Sequence, residues 1–208
     1  MKKTLYLLRH GETQFNYYGK AQGWCDSPLT EHGIGQAKTA AAYFAENDIV
    51  FDGWICSTAE RACDTLEIFM REQDGEVHPY RRLKGLKELF YGRFEAVPVD
   101  MLGTFLSMDD ETRKRNGGET RDELNQRVWN ALNDYMATTD ATCTLAVSHM
   151  LVSMSFLEQV LGQEIPQEKR TGFNNCAALV FEYDTETKQF SYLETVRTND
   201  DPIFRGAR

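Results

Sequence analysis

The chain has 208 residues, 41% of them hydrophobic and 26% charged, a balance that supports one packed globular domain and excludes a disordered or low-complexity protein. Its 23 Lys and Arg face 32 Asp and Glu, for a formal charge of −9, so neither nucleic acid nor an anionic membrane is an expected partner. The five cysteines (Cys25, Cys56, Cys63, Cys143 and Cys176) are scattered without a C-x-x-C pair. They read as reduced, small core residues of a cytoplasmic protein, not as a disulfide frame or a zinc site.

Along the chain, Thr4 to Leu8 is a short apolar run and reads as a buried strand. It ends at Arg9, too soon for the hydrophobic region of a signal peptide, and no later stretch approaches membrane-spanning length. Pro28-Leu29-Thr30 opens a helix whose inward face is expected to carry Ile34, Ala37, Ala41, Phe44 and Ala45. Trp54-Ile55-Cys56 reads as a second strand. Ser57-Thr58-Ala59-Glu60 has the pattern of a capping box, opening a helix that buries Ala62, Leu66 and Phe69. Residues 74 to 118 mix Gly, Pro and charge, and read as an insertion with short helices. Thr120-Arg121-Asp122-Glu123 is a second capping box, followed by Leu124, Val128, Leu132 and Tyr135 at helical spacing. A third buried strand runs from Thr142 to Val147, with a helix from Leu151 to Leu161. Ala178 to Tyr183 and Phe190 to Val196 are expected strands around a turn at Asp184 to Gln189. Strands alternating with helices imply a mostly parallel sheet covered on both faces.

Three features then fall at one end of that sheet. Arg9-His10 follows the first strand, Ser57 and Arg61 follow the second, and Ser148-His149 follows the third. Open α/β sheets bind ligands at the carboxyl ends of their strands. Arginine offers a planar fork of donors for phosphate oxygens, and a neutral histidine can attack phosphorus. Helix N-termini at Arg61 and His149 add backbone donors for an anion. Phosphoryl transfer needs neutralised oxygens and an in-line nucleophile, and this set supplies both without a metal.

The residues Leu8-Arg9-His10-Gly11-Glu12-Thr13, Asn16, Gln22-Gly23, Asp26-Ser27-Pro28-Leu29-Thr30, Gly33, Gln36-Ala37, Ser57, Arg61-Ala62, Thr65, Glu88, Gly117-Gly118-Glu119 and Ser148-His149 occur in that order. In this the chain resembles the histidine phosphatase superfamily, which includes cofactor-dependent phosphoglycerate mutase. The resemblance spans about residues 4 to 182. It implies a three-layer α/β/α sandwich with a mostly parallel central sheet and a small cap, here a single domain over residues 1 to 208 with the cap inserted at about 74 to 118. It also implies that His10 is the nucleophile and becomes phosphorylated. Arg9, Arg61 and His149 would complete the phosphate pocket, Glu88 would protonate the leaving oxygen, and Asn16, Gln22, Gly23 and Ser57 would line the phosphate or substrate. The chain departs from the family pattern at Ala96, where glycine is usual, at Ala59 and Asp64 around Arg61, and at Met150 after His149.

Hydrolysis of a small phosphorylated metabolite through phosphohistidine is the expected reaction, with no cofactor and no metal. Phosphoglycerate mutase-type transfer is the nearest alternative, and a non-catalytic phosphate-binding module is another. The oligomeric state is open, a homodimer included. Glu95 competes with Glu88 for the acid role. A metal site on His10, Glu12, His32 and His149 lacks ligand spacing, and His32 and His78 read as exposed residues outside the site. Arg81, Arg82, Lys84, Lys87 and Arg93 form a basic patch that reads first as a solvated face and second as a site for another anionic group of the substrate. Phe15, Tyr17, Tyr18 and Trp24 are either core or pocket wall.

Overall fold

A computed structural model describes residues 1–163, 165 and 173–199. Its strands are β1 (Lys2–Arg9), β2 (Gly53–Ser57), β3 (Arg81–Leu83), β4 (Cys143–Ser148), β5 (Ala178–Asp184) and β6 (Gln189–Val196). They form one sheet in the order β3-β2-β4-β1-β5-β6. β3, β2, β4 and β1 pair in parallel, and β5 and β6 complete the sheet antiparallel. The helices are α1 (Gln14–Tyr17), α2 (Glu31–Glu46), α3 (Glu60–Asp74), α4 (Val99–Leu106), α5 (Asp110–Arg115), α6 (Arg121–Thr138) and α7 (Met150–Leu161).

The central strands are apolar on both faces because helices cover both. Leu5, Leu7, Ile55 and Ala146 face a core closed by Val128 and Leu132 of α6 and Val152 and Phe156 of α7. Leu8, Trp54, Cys56, Leu145 and Val147 face a second core closed by Ala37 and Phe44 of α2 and Leu66 and Phe69 of α3. The architecture is thus the expected three-layer α/β/α sandwich. No helix of the described residues is long and apolar enough to cross a membrane.

Local sequence explains most element ends. Thr30 caps α2 by accepting from Gly33 N, and Thr120 and Glu123 form the expected capping box on α6. Three expectations need correction. Ala45 is exposed; the inward face of α2 runs through Gly33, Gln36, Ala37, Ala40, Ala41 and Phe44, and Ile34 is only half-buried. The stretch from 74 to 118 does not stand wholly outside the sheet, because Arg81–Leu83 pairs with β2 as an edge strand. Two of its three residues are arginines, so no apolar alternation marks it. Finally, Ser57 does not cap α3. The N-cap is Ala59, which makes no side-chain cap bond.

Candidate active site

The carboxyl ends of β1, β2 and β4 bring His10, Ser57, Arg61 and His149 together in a buried cluster. His10 follows β1, its backbone N–H bonded to the Ser148 carbonyl at 3.0 Å. Its ring Nδ1 lies 2.7 Å from the Gly11 carbonyl oxygen. A carbonyl only accepts, so Nδ1 carries the proton and the lone pair sits on Nε2. Arg61 Nε donates to that Nε2 at 3.3 Å. Burial pushes the His10 pKa well below its ordinary value, and the Arg61 and Arg9 cations push the same way, so the ring is neutral at pH 7.

Two bare backbones allow the chain to enter this cluster. A Cβ on Gly11 would lie 2.5 Å from the Gly33 carbonyl oxygen. The loop after β1 and the first turn of α2 therefore close on each other only because both carry glycine. Glu12 is used up in the same contact: its carboxylate accepts from Thr30 Oγ1 at 2.7 Å, and its N–H donates to Gln36 Oε1 at 2.8 Å.

Arg61 is fully buried in the first turn of α3 and connects every part of the cluster. Nη1 donates to the Cys25 carbonyl and to Asp26 Oδ1, each at 3.0 Å. Nη2 donates to the Gly23 carbonyl at 2.9 Å and to His149 Nδ1 at 3.0 Å. Guanidinium only donates, so His149 Nδ1 is the acceptor and its Nε2–H donates to Ser57 Oγ at 2.8 Å. Burial, then Arg61 and His10, hold the His149 pKa well below its ordinary value. The two imidazoles meet edge to face, 5.2 Å between centroids. Asp26 Oδ2 also accepts from Glu60 N at 2.6 Å. A carboxylate from a distant loop thus supplies the α3 start with the acceptor that Ser57, engaged by His149 and Ala59 N, does not.

Arg9 reaches the same space from the end of β1. Nη1 donates to the Phe173 carbonyl at 2.9 Å, whereas Nε is buried with no partner among the described residues. A buried donor of this kind favours an acceptor by about 1–3 kcal/mol.

Glu88 is buried, 5% exposed. Its Oε1 accepts from Leu89 N at 2.9 Å and Oε2 from Leu151 N at 3.1 Å, in the first turn of α7. Burial raises its pKa above the ordinary carboxylate value. The two backbone bonds and the Arg61 and Arg127 cations oppose that rise. Arg127 on α6 holds the Glu88 segment by its backbone, donating to the carbonyls of Gly85 (2.7 Å), Lys87 (2.6 Å) and Glu88 (2.9 Å). Glu119 fixes Arg127 with a bidentate pair, Nε to Oε1 at 2.6 Å and Nη2 to Oε2 at 2.8 Å. Glu95, the rival acid, instead accepts the backbone N–H groups of Gly23, Trp24, Cys25 and Tyr91 at 2.8–3.2 Å. It is the clasp of the 23–25 loop.

The remaining expected residues divide. Gly23 gives its carbonyl to Arg61. Gln22 lies against the cluster, but its amide is bonded to Thr13 Oγ1 (2.7 Å), Ser27 Oγ (3.1 Å) and Asp26. Asn16 caps its own short helix through Oδ1, and its Nδ2 takes no partner among the described residues. Tyr17 and Tyr18 are exposed at 67% and 62%, and Phe15 is half-buried beneath Lys20. Trp24 is half-buried at the rim. The Cys25 thiol is pushed up to about 12, chiefly by burial and Glu95, so it is no thiolate nucleophile. His32 is exposed, and His78 stacks on Trp54 beside Asp74, away from the cluster. Among the described residues no three His, Cys, Asp or Glu side chains are grouped to hold a metal ion.

Sequence reasoning passed over Asp26 as the Arg61 partner, and it missed Asn175, whose Nδ2 donates to the His10 carbonyl at 2.7 Å. It also gave Glu119 and Arg127 no role. The eight-residue spacing between them along α6 and its entry was the available signal.

A family model described as the histidine phosphatase superfamily (branch 1) matches residues 5–195. Among curated relatives, a probable phosphoglycerate mutase GpmB of Proteus mirabilis is 32% identical over 189 residues, covering 86% of this chain and 84% of that protein. Among solved structures, a phosphoglycerate mutase from Bacillus anthracis superposes with a TM-score of 0.77 at 23% identity, covering 94% of this chain and 92% of that one. A phosphoserine phosphatase from Entamoeba histolytica, in complex with phosphoserine, gives 0.75 at 24% identity, covering 94% and 98%. Placed beside a buried histidine pair bridged by an arginine at the strand ends, these matches show that the chain belongs to the histidine phosphatase superfamily, branch 1.

Proposed function

We propose that the protein hydrolyses a small phosphomonoester through a phosphohistidine on His10. The observation that carries this reading is a neutral His10 whose lone pair lies on Nε2, where only Arg61 Nε engages it among the described residues, because Nδ1–H is held by the Gly11 carbonyl. Nε2 attacks phosphorus, the bond to the ester oxygen breaks, and Glu88 delivers its proton to the departing alkoxide. The Glu88 carboxylate then takes a proton from water as that water attacks phosphorus and the P–N bond breaks. Arg61 Nε and Nη2 turn from the two imidazole lone pairs to the phosphoryl oxygens, and Arg9 Nε adds another donor. The segment from Lys84 to Gly118 acts as the cap over this reaction.

A phosphoglycerate mutase-type transfer is the second reading, supported by the description of the 32%-identical relative. It shares the first step and differs in whether an alcohol or water receives the phosphoryl group. Incubation with 3-phosphoglycerate and a bisphosphoglycerate primer, followed by product analysis, separates the two. Phosphate release exceeding isomerisation supports hydrolysis, and the reverse order overturns it. His10→Ala is expected to abolish turnover and acid-labile phosphate incorporation together. Absence of both from the native protein, over a panel of phosphomonoesters, would leave a phosphate-binding module.

A further inference from the structure

Two cations beside the site form no ion pair among the described residues. Lys87 directly precedes Glu88, and its Nζ lies 4.6 Å from the centroid of the Trp24 ring. Lys84 Nζ lies 5.3 Å from the same centroid. Among the described residues neither ammonium forms an ion pair or a hydrogen bond with a carboxylate. Two further cations of the basic patch are engaged elsewhere: Arg81 packs over Tyr135, and Arg82 donates to the Thr58 carbonyl at 2.8 Å.

The indole that carries the two lysines is tied to both the Arg61 loop and the Glu88 segment. Trp24 lies between Gly23 and Cys25, whose carbonyls both accept from Arg61. Its own N–H is held by Glu95, and its Nε1 donates to the Glu88 carbonyl at 2.9 Å. Phe90 packs against it at 5.0 Å. The platform is therefore rigid and joined to both the phosphate floor and the acid. The Lys87 pKa is pushed down by burial and by Arg61 and Lys84, while Asp26 and Glu95 push it up. Two like charges close together, half-buried in one case, are favourable mainly once an anion joins them.

We propose that Lys84 and Lys87, carried on Trp24 at the rim of the His10 pocket, form a subsite for a second oxyanion on the substrate. It rests on the phosphomonoester reading above and narrows it: the protein selects small phosphomonoesters that carry a carboxylate or a second phosphate close to the reacting one.

Matched substrates test it. 3-Phosphoglycerate and glycerol 3-phosphate differ in a carboxylate against a hydroxymethyl group. Propanediol 1,3-bisphosphate and 3-hydroxypropyl phosphate differ in a second phosphate. The readout is the ratio of kcat/KM within each pair, from which any loss of folded protein cancels. The native ratio in at least one pair is expected to be about 10 or more, falling toward 1 in Lys84→Ala/Lys87→Ala and largely kept in Lys87→Arg. The pair with the larger ratio identifies which oxyanion is read. A native ratio near 1 in both pairs, or one that survives the double substitution, overturns the subsite. If no compound is turned over, the phosphoryl-transfer reading fails by itself. The ratio of Kd values by calorimetry for the same pairs then decides the subsite by the same two outcomes.

Discussion

The floor of the site and its rim are built on opposite principles. The floor stands on the ends of β1, β2 and β4, and nearly every polar atom there is already bonded: Arg61 alone engages Gly23, Cys25, Asp26, His10 and His149. The rim, from Lys84 to Glu95, has its backbone pinned by Arg127 and by Ser148, whose Oγ donates to the Leu86 carbonyl at 2.9 Å, yet it presents ammonium groups that form no ion pair among the described residues. Pairing on the floor fixes protonation states and geometry before any substrate arrives, which electrostatic catalysis requires. Unpaired charge on the rim keeps affinity in reserve for a ligand. The floor belongs to the reaction, and the rim to the choice of substrate.

The largest expected effect comes from Arg61→Ala. It removes phosphoryl donors and leaves Asp26 and His149 without their partner, so turnover should fall by at least about 10³-fold and stability by about 3 kcal/mol. Steady-state kinetics and urea unfolding measure the two. A loss of stability with turnover held within tenfold would show that the floor is scaffold only.

Glu88→Gln tests the acid that joins floor and rim. Turnover of alkyl phosphates should fall by about 10²–10⁴-fold, and that of 4-nitrophenyl phosphate, whose leaving group needs little protonation, far less. The pH profile follows from the two shifts. The raised Glu88 pKa keeps the donor protonated above the range of an ordinary glutamate, and activity on alkyl phosphates falls as pH rises through it. The lowered His10 pKa keeps the nucleophile neutral below pH 6.5, so the acid limb lies lower still. Activity on alkyl phosphates is therefore expected to fall toward high pH, with that alkaline limb absent in Glu88→Gln. An identical limb in the variant would remove Glu88 from the acid role.

Arg127→Leu loosens the rim without touching the floor. A displaced Glu88 should cost about 10- to 100-fold on alkyl phosphates and little on 4-nitrophenyl phosphate, with Glu119→Gln milder in the same direction. Equal losses on both substrates would make Arg127 a folding residue only. The smallest effect is at Ala96, which stands at φ 61, in the left-handed region. Ala96→Gly should raise stability by about 1 kcal/mol, read as a higher urea midpoint; no gain would mean that neighbouring contacts favour the alanine methyl.

Much of the fold was legible because its periodicities are strong. The apolar runs of β1, β2 and β4, the two-residue alternation of β5 and β6, and the Thr120 capping box each carry their own local cause. β3 was hidden because Arg81 and Arg82 occupy a short edge position held only by β2. Ser57 was misread as a cap for a related reason. Its hydroxyl can satisfy a helix end or a histidine, and only the arrival of His149 from β4 decides which. Glu88 and Glu95 are the same side chain seven residues apart, and nothing local distinguishes a buried acid from a loop clasp.

The sequence by itself determined the order of the central strands and the helices that follow them, and hence that Arg9-His10, Arg61 and His149 would meet at one sheet end. That follows from the chain's hydrophobic period and from the topology of parallel sheets. Tertiary structure decided the partners: Asp26 at the start of α3, Asn175 on the His10 carbonyl, Glu119 and Arg127 behind Glu88, Trp24 beneath two lysines. Each joins residues from different elements of the fold, where short-range propensity carries no information. His10 shows both sides. Its motif announces a nucleophile, but the proton on Nδ1 and the lone pair on Nε2 exist only once the Gly11 carbonyl and Arg61 are in place.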